Sequence, residues 1–247
     1  MDIPFLAYAA VVGFAAFLST STVGIGSALI LTPLLMVRLD PAQAVGVIAP
    51  ATLLNTALTA WVHRRSIPRD VLGLTAAAAV PACVVGALFA GRVPPAVTQV
   101  AIALAIGLAL GMERGLKKAV GGGRGGAVGW GGAAGLIGGI AGTFGPPLAI
   151  SFLARGLTGP AFVGAMTAIG VCINLVRLPA YVATGVLGND LLPLAVVLGV
   201  SAAVAVYAGK LLLARIDPKN FRGIVDGILA VIALVLVVRA VRGGLFG

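Results

Sequence analysis

The stretch Ser19-Thr20-Ser21-Thr22-Val23-Gly24-Ile25-Gly26-Ser27 interrupts a membrane-length apolar run, Phe5–Val37. A second run, Gly129–Ala154, is interrupted by Gly138-Gly139-Ile140-Ala141-Gly142-Thr143-Phe144-Gly145-Pro146-Pro147. Backbone N–H and C=O groups freed inside hydrocarbon are costly unless a protein-lined cavity or a ligand satisfies them. Breaks at matching places in the two halves of a chain point to the substrate site of a secondary transporter.

The composition around the breaks is that of a membrane protein. Hydrophobic residues make up 60% of the chain and charged residues 10%, against roughly 25% charged in a soluble domain. The net charge of +10 would suit nucleic acid. The Lys and Arg residues lie at segment ends, however, and form no basic stripe. A nucleic-acid partner is therefore excluded, and the pattern follows the positive-inside rule. Cys83 and Cys172 sit far apart within apolar segments, so neither a disulfide framework nor a zinc site is indicated. The start, Met1-Asp2-Ile3-Pro4, has no basic residue, and the first apolar stretch is expected to remain in the mature protein.

Eight apolar blocks follow one another: Phe5–Val37, Ala42–Val62, Val71–Ala90, Ala96–Met112, Gly129–Ala154, Ala161–Ala183, Leu191–Ala214 and Phe221–Ala240. The basic, glycine-rich segment 113–126 divides them into residues 1–112 and 127–247. A shift of 119 superposes Gly13 on Gly132, Gly26 on Gly145, Pro41 on Pro160 and Asn55 on Asn174, and a shift of 123 superposes Arg92 on Arg215 and Pro95 on Pro218. Matches of Asn and Pro at one offset indicate an internal duplication. The flanking pieces Phe5–Leu18 and Ala28–Val37 are each shorter than the roughly 20 residues a full span needs. If each broken run returns to its own side, twelve basic residues collect on one side, among them Arg64, Arg65, Arg69, Arg124 and Arg155. Only Arg38, Arg92, Arg239 and Arg242 fall on the other. The expected fold is therefore all-α, a polytopic transmembrane helical bundle of two inverted repeats, each beginning with a broken or re-entrant helix pair. Segment 113–126 is expected in the cytoplasm, with both termini on the other side.

Candidate site residues gather at the breaks. A helix restarting after each glycine-rich turn directs free N–H groups and a positive dipole end at whatever lies beyond, an arrangement that attracts a small anion. Gly24, Gly26 and Gly145 shape the turns, and the hydroxyls of Ser19, Thr20, Ser21, Thr22, Ser27 and Thr143 add donors. The alternative is that the glycines only permit close helix packing, the reading preferred for Gly129–Gly135. Asn55 and Asn174 are related polar residues in apolar blocks, with Thr52, Thr56 and Thr59 close to Asn55. Each amide either contacts the ligand or satisfies backbone freed by the adjacent break. Arg177 lies three residues beyond Asn174, on the same helix face, where the first half has Leu58. It serves the site or snorkels to the interface.

No carboxylate cluster, HExxH, GxSxG or Walker motif occurs, so a membrane enzyme, an ATP-driven pump or a dedicated metal carrier lacks its parts, and no cofactor is called for. His63 abuts Arg64 and Arg65 at a segment end and reads as interfacial. Asp226 has Arg222 one turn before it.

The pattern from Phe17 to Ser27 followed by Pro33, with its echo Gly135–Pro147, resembles the TauE/SafE family. The resemblance covers nearly the whole chain, including Gly91-Arg92-Val93-Pro94 against Ala214-Arg215-Ile216-Asp217-Pro218. It implies a secondary transporter in a bacterial-type inner membrane that exports sulfite or an organosulfonate. The residues alone reach a small anion and a lipid bilayer as partners, and they set no oligomeric state. Two other readings stay open: a carrier of another small organic anion, and a membrane assembly subunit that transports nothing. With no acidic pair inside the bilayer, passage down the substrate's own gradient is the expected driving force.

Overall fold

The computed structural model describes residues 2–94, 97, 98, 100, 101, 104, 107, 123–157 and 159–212. Most of Ala96–Met112, all of Phe221–Ala240, positions 113–122 of the linker and the Arg222–Asp226 pair lie outside the described residues. Eight α-helices occur among those described: α1 Ile3–Val23, α2 Ser27–Leu35, α3 Pro41–Val62, α4 Arg69–Phe89, α5 Arg124–Ala141, α6 Gly145–Ala154, α7 Gly159–Ala183 and α8 Leu192–Leu212. Among the described residues five apolar stretches are long enough to cross a bilayer: Ile3–Thr22, Pro41–Val62, Val71–Phe89, Gly159–Ala183 and Asn189–Leu211.

Both breaks are narrower than the sequence suggests. Helix α1 continues through Ser19-Thr20-Ser21-Thr22 to Val23, so the piece before the first break is 21 residues long and not the short Phe5–Leu18. The hydroxyls hold it together. Ser21 donates to the Phe17 carbonyl and Thr22 to the Leu18 carbonyl, both at 2.9 Å, so these side chains satisfy themselves within the helix where no water competes. The chain unwinds only over Gly24-Ile25-Gly26 in the first half and Gly142-Thr143-Phe144 in the second. Gly24 (φ 83°) and Gly142 (φ 76°) both end their helices in the left-handed region. Each closes a single bond back to the fourth residue before it, the glycine-terminated stop that lacks a Cβ penalty.

The two ends of each broken pair lie side by side. Arg38, beyond α2, reaches Asp2, before α1, at 2.7 Å. Arg155, beyond α6, donates to the carbonyl of Gly123, before α5, at 3.3 Å. The long helices then pack in pairs. α1 runs parallel to α8, with Gly13 against Leu198 and Gly209 against Ser21. α5 runs parallel to α4, with Gly131, Gly135 and Gly139 against Thr75, Ala79 and Cys83. α3 and α7 are antiparallel at the centre, Gly46 touching Val186 at one end and Gly164 touching His63 at the other. Exchanging the halves maps each pairing onto its counterpart, including α3 with α8 and α7 with α4.

The packing reading of the glycine segment therefore holds for Gly131 and Gly135, whose missing Cβ atoms let α4 and α5 approach backbone to backbone, while Gly129 and Gly132 face open space. One apolar core is built mainly from α1, α2, α3 and α8, joined by Ala87, Ala141 and Tyr181 of α4, α5 and α7, and a second gathers α4 to α7. Ile25, in the first break, packs against both.

Candidate functional site

The two breaks meet. A cavity with about 370 Å³ of empty space, counting the part open to the outside, is lined by Thr20, Gly24, Ile25, Gly26 and Ser27 from the first half and by Gly142, Thr143, Phe144 and Gly145 from the second. Thr52 and Thr56 of α3 and Met166 and Thr167 of α7 complete the wall. Elements more than a hundred residues apart thus converge on one cavity that mixes apolar side chains with the hydroxyls of Thr20, Ser27, Thr52, Thr56, Thr143 and Thr167.

Its donors come from the helix starts and from free hydroxyls. At the start of α2 the Ser27 N–H is already held by the Thr20 hydroxyl at 2.8 Å, and the Ile30 N–H closes the first turn on Gly26. The N–H groups of Ala28 and Leu29, which line the cavity, belong to the unpaired first turn. At the start of α6 the supply is smaller than the sequence reading implied. Pro146 and Pro147 have no N–H to give, which leaves Gly145 alone. The hydroxyls of Ser27 and Thr143, on residues 4% and 3% exposed, have no hydrogen-bond partner among the described residues. Thr20 accepts from Ser27, and its own hydrogen has no acceptor among the described residues.

Other predicted site residues stand behind this wall. Ser19 donates to the Ile25 carbonyl at 3.0 Å and so braces the first break. Ser21 and Thr22 are bonded back into α1. Asn55, fully buried, donates to Ser21 at 3.1 Å and supports the last turn of α1 from α3, without lining the cavity. Asn174 is likewise buried and touches the cavity only through Thr56, to which its amide donates at 3.3 Å.

Arg177 does not snorkel. It is 0% exposed, and its guanidinium donates to the carbonyls of Gly138 (3.1 Å) and Gly142 (2.7 Å) and to Asn174 Oδ1 (2.5 Å). The single ion pair among the described residues is Arg38–Asp2, so no carboxylate compensates Arg177 there. The negative end of α5 does, with the Tyr181 hydroxyl beside it on the Gly139 carbonyl. The charge therefore sits one residue behind the cavity wall at Gly142.

The sequence reading passed over Met166, Thr167 and the cavity role of Thr52 and Thr56. Thr52 and Thr56 carried a signal, being hydroxyls within one turn of Asn55. Thr167 carried a weaker one, two turns before Asn174 on the same face, but its repeat partner is the apolar Ile48.

No curated protein and no solved structure matches the chain. A family model described as Sulfite exporter TauE/SafE matches residues 9–236, and so spans both breaks, the cavity between them and all eight described helices from Ala9 onward. With that share of its length matched, the chain belongs to the TauE/SafE family of sulfite exporters.

Proposed function

We propose that this protein exports a small sulfur-containing anion, sulfite or an organosulfonate, by alternating access through the cavity where the two breaks meet. The observation that carries the reading is the convergence of two helix N-termini and the hydroxyls of Thr20, Ser27 and Thr143 on one buried site whose wall, among the described residues, holds no charged side chain. Dipole ends and neutral donors bind an anion firmly enough to select it, yet without an ion pair that would hold it. Arg177, Asn174, Asn55 and the hydroxyls of Ser19, Ser21 and Thr22 keep that wall in shape from behind.

Two inverted repeats, 1–112 and 127–247, account for the helix directions. The neighbouring ends of each broken pair support a re-entrant hairpin in each half, and the antiparallel α3 and α7 support opposite orientations for the two hairpins. On this arrangement Arg64, Arg65, Arg69, Arg124, Arg155 and Lys210 share one side and Arg38 and Arg92 the other. The positive-inside rule then puts the first group and linker 113–126 in the cytoplasm and the termini outside an inner membrane.

Flux from proteoliposomes tests the function. Saturable movement of labelled sulfite or 2-sulfoacetate, and none of an unrelated carboxylate, is expected. Movement of the carboxylate alone would reassign the substrate, and no saturable flux of any anion in a broad panel would leave an assembly subunit.

A further inference from the structure

The cavity has two chemically different faces. The breaks present donors, as described above. The opposite wall, built by α3 and α7, presents three threonine hydroxyls whose hydrogens are committed elsewhere. Thr52 donates to the Ile48 carbonyl at 2.9 Å, Thr56 to the Thr52 carbonyl at 2.8 Å and Thr167 to the Val163 carbonyl at 2.8 Å. What each has left for the cavity is oxygen lone pairs.

Thr56 is held in that role from behind. A guanidinium has donors only, so Arg177 compels Asn174 to turn its oxygen toward it, at 2.5 Å. The Asn174 amide nitrogen then faces Thr56, which must accept at 3.3 Å. The Thr56 hydrogen is thereby directed back along α3. Releasing any of these hydrogens to a ligand would leave a helix carbonyl or the Asn174 amide with one bond fewer.

A bare dianion meets this wall badly, because every oxygen it carries is an acceptor facing acceptors. A ligand with an anionic head for the breaks and a hydrogen-bond donor for the threonines meets both faces. We propose that the acceptor wall of Thr52, Thr56 and Thr167 selects monoanions that carry a hydrogen-bond donor: a singly protonated oxyanion such as hydrogensulfite, or a sulfonate bearing a hydroxyl or ammonium group. The inference rests on the transport reading above and adds the protonation state and the donor to it. Thr52, Thr56 and Thr167 are specificity-determining residues on this view, and Arg177 is a positioning residue that acts through Asn174.

The test is a matched pair of ligands, 2-hydroxyethanesulfonate and propane-1-sulfonate, which differ by a hydroxyl in place of a methyl group. Both are titrated calorimetrically into the purified full-length protein in lipid nanodiscs. The hydroxylated ligand should bind roughly two- to tenfold tighter, as expected for one added neutral hydrogen bond. The double variant Thr52→Val/Thr167→Val keeps the shape of the wall and removes two acceptors. It should lose most of that preference, and circular dichroism with thermal unfolding in the same nanodiscs certifies that it is folded. Equal affinities in the wild-type protein overturn the inference whether or not the variant folds, and so does a preference undiminished in the folded variant. Failure of both sulfonates and of sulfite to bind at all overturns the transport reading itself, and this inference with it.

Discussion

Replacing Arg177 with methionine removes the guanidinium while keeping an unbranched side chain in its place. The carbonyl of Gly138 is not orphaned by the change, because it still accepts the Gly142 N–H at 3.1 Å. The Gly142 carbonyl and Asn174 Oδ1 do lose the donors at 2.7 and 2.5 Å. An orphaned buried acceptor costs about 1–3 kcal/mol, so two cost about 2–6 kcal/mol. Part of this is returned. The desolvation of the buried charge disappears with it, and its Nε has no hydrogen-bond partner among the described residues. Water entering the cavity also reaches the wall at Gly142. The expected loss is therefore in the lower half of the range, about 2–4 kcal/mol. Arg177→Lys keeps the charge, but a compact ammonium does not fork across Gly142 and Asn174, so its loss should be intermediate. Unfolding by SDS titration from mixed micelles, followed by circular dichroism, measures both variants. An Arg177→Met protein within about 0.5 kcal/mol of wild type, the range of an ordinary surface substitution, would refute the claim that Arg177 supports the second break from behind.

Three further outcomes follow from the same geometry. Gly135→Ala drives a methyl group into the Ala79 carbonyl across the α4–α5 seam and should destabilise by about 1–3 kcal/mol; Gly132→Ala, in open space on the same helix, should be neutral or stabilising by about 0.5–1 kcal/mol, both read from thermal unfolding in detergent. Ser27→Ala and Thr143→Val each remove a donor to a charged ligand and should weaken sulfite binding roughly tenfold to a hundredfold in calorimetry, with the unfolding midpoint unchanged. Burial holds the His63 imidazole below its ordinary value of 6.5, so the folded protein binds that proton less readily than the unfolded chain. Its contribution to stability is complete above about 6.5 and is lost as the pH falls through the lowered folded value. The fall in unfolding midpoint on mild acidification should be shallower in His63→Gln.

The breaks, the two related asparagines and the all-helical membrane fold were legible because glycine clusters and amides stand out in an apolar run. The limits of the breaks were not legible. Ser19-Thr20-Ser21-Thr22 reads as polar and helix-breaking, yet in a dry setting hydroxyls bond back to the preceding turn and keep the helix intact. The proline pair at 146–147 marked the start of α6 correctly, but the same rings strip that start of donors. The sequence placed Arg177 on the face of Asn174 and left its partners open, because the carbonyls it meets belong to a helix end 35 and 39 residues away. Thr167 was hidden by the repeat comparison itself, which looks for residues the halves have in common.

What the halves do not have in common decides how each break is held. The second break is tied across the bundle. Arg177 and Tyr181 reach from α7 to the carbonyls of Gly138, Gly139 and Gly142, and Asn174 passes the connection on to Thr56 of α3. At the repeat-related positions the first half has Leu58 and Val62, which have no polar atom to offer. Its break is braced from within, by Ser19 on the Ile25 carbonyl and Thr20 on the Ser27 N–H, with Asn55 on Ser21 as the bond from α3. The helices before the two breaks stop at glycines of nearly the same conformation, and the breaks have different supports. A shift of the second break must break a charge-assisted bond to α7 or carry α7 with it. A shift of the first can keep both of its local braces, because the residues they join move together.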